Sequence, residues 1–448
     1  MNKRKYESPV ITRVKAGQPD KFGMQPSIKH VSEIEGIAVK ELIEQYGSPL
    51  FVFSEITMRK EYQKLYAAFS SRYPKVQIAW SYKTNYLNAV CKVFHNEGSW
   101  AEVVSGFEYD KALSNGVPGE KIIFNGPYKT DDELIKAVEN NSLIHIDHFD
   151  ELYNLLTIAE KTEKRPQAAI RINMDTGIYP KWDRFGFNYE NGESWTAVNR
   201  IMLSKKIDLV GLHIHIGTYL MAAEPYGVAA AKMANLAAKI DQKFDHKIKY
   251  IDMGGGFSSD NTLKGAYLPG KDTSPSYDEY AEAITTALIN SSIDPEHLPT
   301  LFLETGRSLI ANAGTMLSTV VANKRLSNGR RALIIDAGVN VLFTSFWYDF
   351  DIYPAEKTGK DAEDTVIYGP LCMNIDVIRD AIKFPHLEKG QHLVIPKVGA
   401  YNVTQWLQFI TFRPNVVLID PDKNTHVIRK KEDIEVFDRQ EQTPKHLK

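Results

Sequence analysis

The chain has 448 residues, of which 43% are hydrophobic and 25% charged, and its formal net charge is -2 at pH 7. This composition is typical of a globular protein long enough for two domains with separate cores. The near-neutral charge and the lack of a long basic run argue against nucleic acid or an anionic membrane as the main partner. Small molecules remain the expected ligands.

The start of the chain and the cysteine count predict a cytoplasmic protein. The first residues are basic but no apolar segment follows them, so we expect no secretory signal. No stretch of the sequence is long and apolar enough to span a membrane. Two cysteines, Cys91 and Cys372, cannot build a disulfide framework.

The N-terminal part is expected to form a segment, residues 1–48, that joins a later β domain. It is mostly polar, with a helical stretch near 31–46. Residues 49–53 resemble a short strand, and 55–72 carry apolar residues at helical spacing.

Eight short apolar runs follow, separated by polar or helix-like segments. They are Val76–Lys83, Trp100–Ser105, Lys121–Gly126, Leu143–His148, Ala168–Asn173, Leu209–Gly217, Ile248–Gly256 and Thr300–Gly306. Strands that alternate with helices indicate a parallel sheet, and eight units over about 250 residues match a closed (β/α)8 barrel of the TIM type. We assign residues 49–310 to this barrel, with an open doubly wound sheet as the alternative.

Beyond residue 312 the strand-like runs lack long helices between them. They are Leu317–Asn323, Arg331–Ala337, Thr365–Tyr368, His392–Val398, Val416–Asp420 and Thr425–Arg429. This pattern predicts a mainly antiparallel β domain over residues 311–430. Residues 431–448 are charged and are expected to form a loose tail.

Lys83 is unusual because it ends an apolar strand on the same side as Gln77, Ala79 and Ser81. A lysine whose pKa is lowered by its surroundings can form a Schiff base with a carbonyl group, pyridoxal phosphate (PLP) included. The plain alternative is a lysine at a strand end that extends into solvent. Functional groups of such barrels lie at the C-terminal strand ends, where Lys83 is found.

Three other strand ends carry groups suited to a cofactor. His213 and His215 alternate with isoleucines and should face the interior. They are candidates for hydrogen bonding in the core or for binding a metal ion, although no third metal ligand lies close in sequence. His215 is also a candidate for stacking on a cofactor ring. Glu304 should also face inward, where a carboxylate needs a cation such as a protonated pyridine nitrogen or a nearby arginine.

The glycine run Gly254-Gly255-Gly256 follows a strand, so its backbone amides are candidates for binding phosphate oxygens. The glycines alone equally suit a tight turn. Arg307 offers a guanidinium and Thr218 a hydroxyl for the same phosphate. In the later domain, Cys372 lies in a turn-rich loop and is a candidate proton donor, whereas Cys91 is assigned to the core.

Six motifs occur in the order found in one enzyme family. They are Tyr82-Lys83-Thr84-Asn85, Gly211–Thr218, Asp252–Phe257, Glu304–Arg307, Gly369–Cys372 and Gly399-Ala400-Tyr401. Through them nearly the whole chain resembles the fold-type III PLP-dependent decarboxylases, which include diaminopimelate, ornithine and arginine decarboxylases. The resemblance implies an alanine racemase-like architecture of barrel and β domain, and a PLP-dependent carboxy-lyase acting on an amino acid or an amino-acid-derived small molecule.

The resemblance also implies roles for individual residues. Lys83 would bind PLP covalently, His215 would stack on its ring, and Glu304 would pair with its ring nitrogen. The phosphate would be bound by Thr218, Gly254, Gly255, Gly256 and Arg307. Further residues expected around the cofactor are Glu102, where the family usually has aspartate, Arg171, Thr305, Gly306 and Tyr401. Cys372 would donate a proton across a head-to-tail homodimer.

The substrate is less well defined by this resemblance. Two polar contacts of diaminopimelate decarboxylases are replaced here by Met373 and Thr344. Tyr348 and Asp349 instead resemble the ornithine decarboxylase loop, whose aspartate binds a distal amine. We therefore expect a substrate with a distal amino group, or a larger conjugated amino acid such as a siderophore or antibiotic precursor, packed partly against Met373 and Trp347.

Two other functions are compatible with this fold, and the sequence favours decarboxylation over both. A PLP-dependent racemase of the same fold is expected to place arginine on the pyridine nitrogen, so Glu304 favours decarboxylation. A non-catalytic regulatory protein of decarboxylase type is disfavoured by Lys83, Arg307 and Cys372 occurring together.

Overall fold

The computed structural model describes residues 29–359 and 361–447. Residues 1–28 of the segment assigned to 1–48 lie outside the described residues. Its described part forms strands β1 (Glu33–Ile34) and β2 (Ile37–Ala38) and helix α1 (Val39–Tyr46). Val39 and Leu42 of this helix pack against strands of the β domain, so this part of the chain joins that domain.

Strand β3 (Leu50–Ser54) corrects the predicted domain boundary at residue 49. It pairs antiparallel with Gly314–Arg325 and parallel with Val416–Ile419, both in the β domain. All five of its residues are buried, because the strand is covered on both faces. The barrel therefore begins after β3.

Eight parallel strands form the barrel and agree with the eight predicted runs. They are β4 (Val76–Ser81), β5 (Trp100–Val103), β6 (Ile122–Phe124), β7 (Leu143–Ile146), β8 (Gln167–Asn173), β10 (Asp208–Ile214), β11 (Tyr250–Asp252) and β12 (Thr300–Leu303), while the short β9 (Phe187–Asn188) pairs with β8. Pairing of β12 with β4 and of β10 with β8 closes the sheet. The closed barrel is thus confirmed and the open sheet is wrong.

A helix precedes β4 in the chain, others lie between the barrel strands, and a last short one follows β12. They are α2 (Glu55–Ser70), α3 (Asn88–Asn96), α4 (Gly106–Ser114), α5 (Asp131–Glu139), α6 (Phe149–Thr162), α7 (Glu193–Ser204), α8 (Glu224–Phe244), α9 (Gly270–Thr273), α10 (Tyr277–Ile289) and α11 (Arg307–Ile310). Capping boxes fix the starts of two of them, formed by Thr130 with Glu133 and by Ser276 with Glu279. Across the described ranges, no helix is both long and apolar enough to cross a membrane.

The second domain is a mainly antiparallel β structure, as predicted. Besides β3 it contains β13 (Gly314–Arg325), β14 (Arg331–Ile335), β15 (Tyr353–Pro354), β16 (Ala362–Tyr368), β17 (Val377–Pro385), β18 (His392–Pro396), β19 (Val416–Ile419) and β20 (Thr425–Arg429). The pairs β14–β16 and β3–β19 are parallel. Strand β17 was not predicted, because its central residues are charged and exposed at the sheet edge.

The predicted tail is anchored at its start. Glu432 is buried and its Oε1 lies 3.0 Å from Arg413 Nη1 and 2.6 Å from Arg429 Nη2. A short helix, α12 (Glu435–Asp438), follows with its residues largely exposed.

The β domain lies over the C-terminal end of the barrel. The amide of Tyr401 donates to the carbonyl of Thr84 at 2.9 Å, next to Lys83. Asn85 Nδ2 donates to the carbonyl of Gly399 at 3.3 Å. These bonds bring the loop 399–401 of the β domain to the barrel residues that were expected to bind a cofactor.

Candidate active site

Lys83 extends from the end of β4 into the mouth of the barrel and meets Glu102. Its Nζ lies 2.7 and 2.9 Å from the two carboxylate oxygens. Burial alone would lower the pKa of Lys83, but Glu102 and then Glu304 outweigh it and raise the pKa above its ordinary value. The amine is therefore held as an ammonium, contrary to the lowered pKa expected from the sequence.

Glu304 is buried at the end of β12, the strand that pairs with β4. Its Oε1 accepts a hydrogen bond from Asn125 Nδ2, which also donates to Glu102 at 3.1 Å. Its Oε2 lies 3.3 Å from Nε2 of His213 and has no hydrogen-bond donor within the described part of the chain. A buried carboxylate with a free oxygen is suited to a cationic partner.

The glycine run approaches Glu304 through its backbone. A Cβ at Gly255 would lie 2.3 Å from the Glu304 carbonyl oxygen, so only glycine fits. Gly254 and Gly256 have φ of +66° and +93°, which favour glycine. The Gly254 amide donates to Asp252 at 2.8 Å, so of the three amides those of Gly255 and Gly256 are better placed for a ligand.

Arg307 lies beside this run and is 8% exposed. Its Nη1 donates to the hydroxyl of Tyr348 and its Nη2 lies 3.5 Å from Thr218 Oγ1. The guanidinium also lies 4.6 Å from the ring centroid of Tyr401, which adopts the strained φ of +66°. A cation is thus fixed beside backbone amides, which is the arrangement that binds a phosphate group.

His215 and Arg171 complete the wall of the mouth. The His215 ring stacks on Trp182 with centroids 5.4 Å apart and an interplanar angle of 13°, which leaves one imidazole face for a ligand. Arg171 is buried, with Nη1 3.5 Å from Asp147 Oδ1 and its guanidinium 4.5 Å from the ring centroid of Phe185.

The structure brings most of the predicted residues into one cavity. Its lining is Ser81, Lys83, Thr84, His215, Thr218, Gly256, Phe257, Glu304, Thr305, Gly306, Arg307, Ser308 and Tyr401. Sequence reasoning did not identify Asn125, His145 or Trp182 as neighbours of this cavity. Asn125 ends the predicted run Lys121–Gly126 but was given no role, and His145 lies within another predicted run, where no local pattern marks it.

Cys372 and Met373 lie outside this cavity within the single chain. Cys372 is exposed on the loop between β16 and β17, and Met373 is half-buried. Asp376 shapes this loop, because its carboxylate accepts the amides of Val339 at 2.8 Å and Leu371 at 2.7 Å. Cys91 is buried in the core, as predicted.

Asp349 and Thr344 also point away from the cavity. Asp349 Oδ1 lies 3.5 Å from Arg379 Nη1, and its Oδ2 accepts the amide of Gly265 at 3.2 Å. Thr344 is buried and its hydroxyl donates to Asn402 at 3.0 Å. Both residues therefore have partners within the chain.

The fold and the site define the class of the protein. A barrel lysine beside a buried carboxylate, with a glycine and arginine cradle for an anion, suits an enzyme that holds a phosphorylated aldehyde cofactor on a lysine. The buried Oγ1 of Thr305 and Oε2 of Glu304 lack protein partners among the described residues, which is what a site for a polar group requires.

Comparison with known proteins identifies the family. Residues 59–311, more than half of the chain, match the family described as "Pyridoxal-dependent decarboxylase, pyridoxal binding domain". The chain belongs to this family, so the resemblance deduced from the motifs is confirmed.

Similar proteins are diaminopimelate decarboxylases. That of Aquifex aeolicus is 29% identical over 411 residues, covering 89% of this chain and 93% of its own, and that of Bacillus subtilis is 28% identical over 418 residues, covering 90% and 93%. The crystal structure of the M. jannaschii enzyme with L-lysine is 27% identical, covers 94% of this chain and 99% of its own, and superposes with a TM-score of 0.85. The protein is therefore a PLP-dependent amino acid decarboxylase.

Proposed function

We propose that Lys83 binds PLP covalently, that Glu304 pairs with its ring nitrogen, and that Gly255, Gly256 and Arg307 bind its phosphate. When bound, PLP supplies an electron-withdrawing ring that stabilises the charge left as CO2 departs. The observation that carries this proposal is that Lys83, the buried Glu304, Gly256 and Arg307 line one cavity at the barrel mouth.

Glu102 would accept the proton of Lys83. Its carboxylate oxygens, 2.7 and 2.9 Å from Nζ, are placed to accept that proton, so that the amine can attack a carbonyl carbon. Ser81 donates to Glu102 at 2.5 Å and fixes its orientation. His215, Arg171, Thr218, Thr305, Gly306 and Tyr401 keep the cofactor-binding roles expected of them.

The substrate would be an amino acid with a conjugated side chain. Asp349 is paired with Arg379 and with the Gly265 amide, which disfavours it as the binding group for a free distal amine. Thr344 bonds to Asn402 and Met373 is apolar, so the chain offers few polar partners for a second free carboxylate. These features argue against diaminopimelate itself.

An aromatic surface lies beside the cavity and suits such a substrate. Trp347 and Phe346 are each 38% exposed although they are large and apolar. Trp347 packs edge-on against Tyr401, with ring centroids 6.4 Å apart, so its ring continues the wall of the cavity. Burial of these rings by an apolar substituent would be favourable.

The loop between β16 and β17 is the proposed contact between two subunits. Cys372 is exposed and outside the cavity of its own chain, which is compatible with action in a neighbouring cavity. Ile375, in the same loop, is 53% exposed and would be covered by such a contact. We therefore propose a head-to-tail homodimer in which Cys372 protonates the substrate carbon of the partner subunit.

Release of CO2 from a substrate panel tests the choice of substrate. The panel contains diaminopimelate, lysine and ornithine in both configurations, together with derivatives acylated on the distal amine. We expect higher kcat/KM for acylated compounds and a fall of about tenfold for them in Trp347→Ala. The control Tyr153→Ala removes an exposed ring on α6 and should change nothing. Preference for free diamines, with a raised KM in Asp349→Ala, would refute this choice.

A further inference from the structure

Four carboxyl groups lie inside the barrel near the cavity, each at most 4% exposed. They are Glu102, Asp147, Asp252 and Glu304. Two of them have a cationic partner, since Lys83 lies 2.7 Å from Glu102 and Arg171 lies 3.5 Å from Asp147. Asp252 and Glu304 have no such partner among the described residues, so their charges need another explanation.

Asp252 and Glu304 face each other through unsatisfied oxygens. Oδ1 of Asp252 accepts the Gly254 amide at 2.8 Å, and Oε1 of Glu304 accepts Asn125. Within the described chain, Oδ2 of Asp252 and Oε2 of Glu304 each lack a hydrogen-bond donor. Asp252 of β11 is the register partner of Phe302 on the adjacent β12, so Glu304, two residues beyond Phe302 on the same side of the strand, is its neighbour inside the barrel. Two buried acceptors in contact are unfavourable unless one carries a proton.

The groups around this pair do not supply that proton as a cation. Nε2 of His213 lies 3.3 Å and Nδ1 of His145 lies 3.9 Å from the Glu304 carboxylate. Burial, above all, lowers the pKa of both imidazoles well below the ordinary value, so both are neutral near pH 7. The other titratable or charged groups facing the pair are Lys83, Glu102, Arg171, Lys129 and Tyr250.

None of these remaining groups donates a hydrogen bond to either unsatisfied oxygen of the pair. Lys83, Arg171 and Lys129 are bound to Glu102, Asp147 and Glu151. The hydroxyl of Tyr250 bonds to His145 Nε2 at 2.9 Å. Burial first, and then the adjacent Glu304, raise the pKa of Asp252 well above its ordinary value.

The geometry points to a shared proton, carried by Asp252 and donated as a hydrogen bond from its Oδ2 to Oε2 of Glu304. Asp252 is then a positioning residue that, together with Asn125, fixes the Glu304 carboxylate. Glu304 remains the single anion of the pair and lines the cavity, and each of its oxygens has a second lone pair that can accept a hydrogen bond from a ligand. The role of this anion toward the PLP ring nitrogen rests on the proposed function, whereas the proton on Asp252 does not.

The pH dependence of stability tests where the proton lies. If an aspartate is neutral in the folded protein and ionised in the unfolded protein, the protein loses stability as pH rises above about 4. Asp252→Asn keeps both hydrogen bonds and does not ionise. The Tm of this variant relative to the wild type should therefore increase from about pH 5 to about pH 8. Asp147→Asn, which removes the partner of Arg171, serves as control and should lower Tm throughout.

Two outcomes of this comparison would overturn the inference. A flat or falling Tm difference for Asp252→Asn means that Asp252 is ionised in the folded protein. If the Tm difference from the wild type rises with pH for Glu304→Gln and not for Asp252→Asn, Glu304 carries the proton.

Infrared spectroscopy of the cofactor-free protein gives an independent readout. We expect a carboxylic-acid C=O band at neutral pH that shifts on 13C-aspartate labelling and is lost in Asp252→Asn. A spectrum without this band would overturn the inference. Neither this measurement nor the Tm comparison needs PLP, so both can fail while Lys83 still binds the cofactor, and both can succeed if Lys83 does not.

Affinity of the cofactor-free protein for PLP tests the positioning role. Asp252→Asn should bind PLP within about twofold of the wild type, whereas Asp252→Val, which lacks both hydrogen bonds, should bind about tenfold more weakly. Equal losses in the two variants would show that the carboxyl proton of Asp252 does not position Glu304.

Discussion

The buried ion pair of Lys129 and Glu151 gives a sharp stability prediction next to the active site. Lys129 Nζ donates to Glu151 Oε1 at 2.6 Å and to the carbonyls of Gly126 at 2.7 Å and His145 at 3.0 Å. Glu151 Oε2 in turn accepts the amide of Asp147 at 2.8 Å. The pair thus joins the ends of β6 and β7, and the side chain of Lys129 is fully buried.

Lys129→Met removes one partner and leaves a buried carboxylate without its cation. The cost of breaking such a pair is about 3–5 kcal/mol of unfolding free energy. Lys129→Met combined with Glu151→Leu should lose less than Lys129→Met alone, because no unpaired charge stays buried.

Urea unfolding followed by tryptophan fluorescence measures these differences for the wild type, both single variants and the double variant. A loss below about 1 kcal/mol in Lys129→Met would contradict the buried-charge argument. A double variant that loses the sum of the two single variants would show that the residues are not coupled.

Three further predictions concern the cofactor cradle, the cysteine loop and a buried carboxyl group. Gly255→Ala should abolish PLP binding measured by dialysis, because its Cβ would lie 2.3 Å from a backbone carbonyl, whereas Gly359→Ala, with no atom within 4 Å, should not. Asp376→Ala should lower kcat about tenfold or more by releasing the loop of Cys372, with little change in PLP affinity. Burial raises the pKa of Glu108 to about 7, so stability associated with the neutral acid is lost as pH rises from about 4 to 7, and Glu108→Gln should gain Tm over the wild type at pH 8 but not at pH 4.

The barrel could be predicted from the sequence because each of its strands and helices is marked by a pattern of neighbouring residues. Each strand is a short apolar run followed along the chain by a helix, and some of these helices begin with a capping box, such as that of Thr130 and Glu133. The strand at 50–54 has the same local appearance, yet it pairs with β13 and β19, which lie more than 250 residues later. Its membership of the β domain is a long-range property that no local pattern shows.

The cavity was predictable to the extent that its residues terminate barrel strands. Lys83, Glu304 and Arg307 fall at such ends, and parallel strands bring these ends together. Asn125 and His145 reach Glu304 only through the curvature of the barrel. The partners of an individual side chain, as with Asp349 and Arg379, depend on contacts between distant loops.

The most direct test of the account is to identify the lysine that carries the cofactor. The protein loaded with PLP is reduced with borohydride to fix the cofactor to its lysine, digested, and analysed by mass spectrometry. The account predicts modification at Lys83, in the peptide that contains Tyr82 and Thr84, and no modification in Lys83→Ala. Stoichiometric modification at another lysine, with Lys83 unmodified, would contradict it.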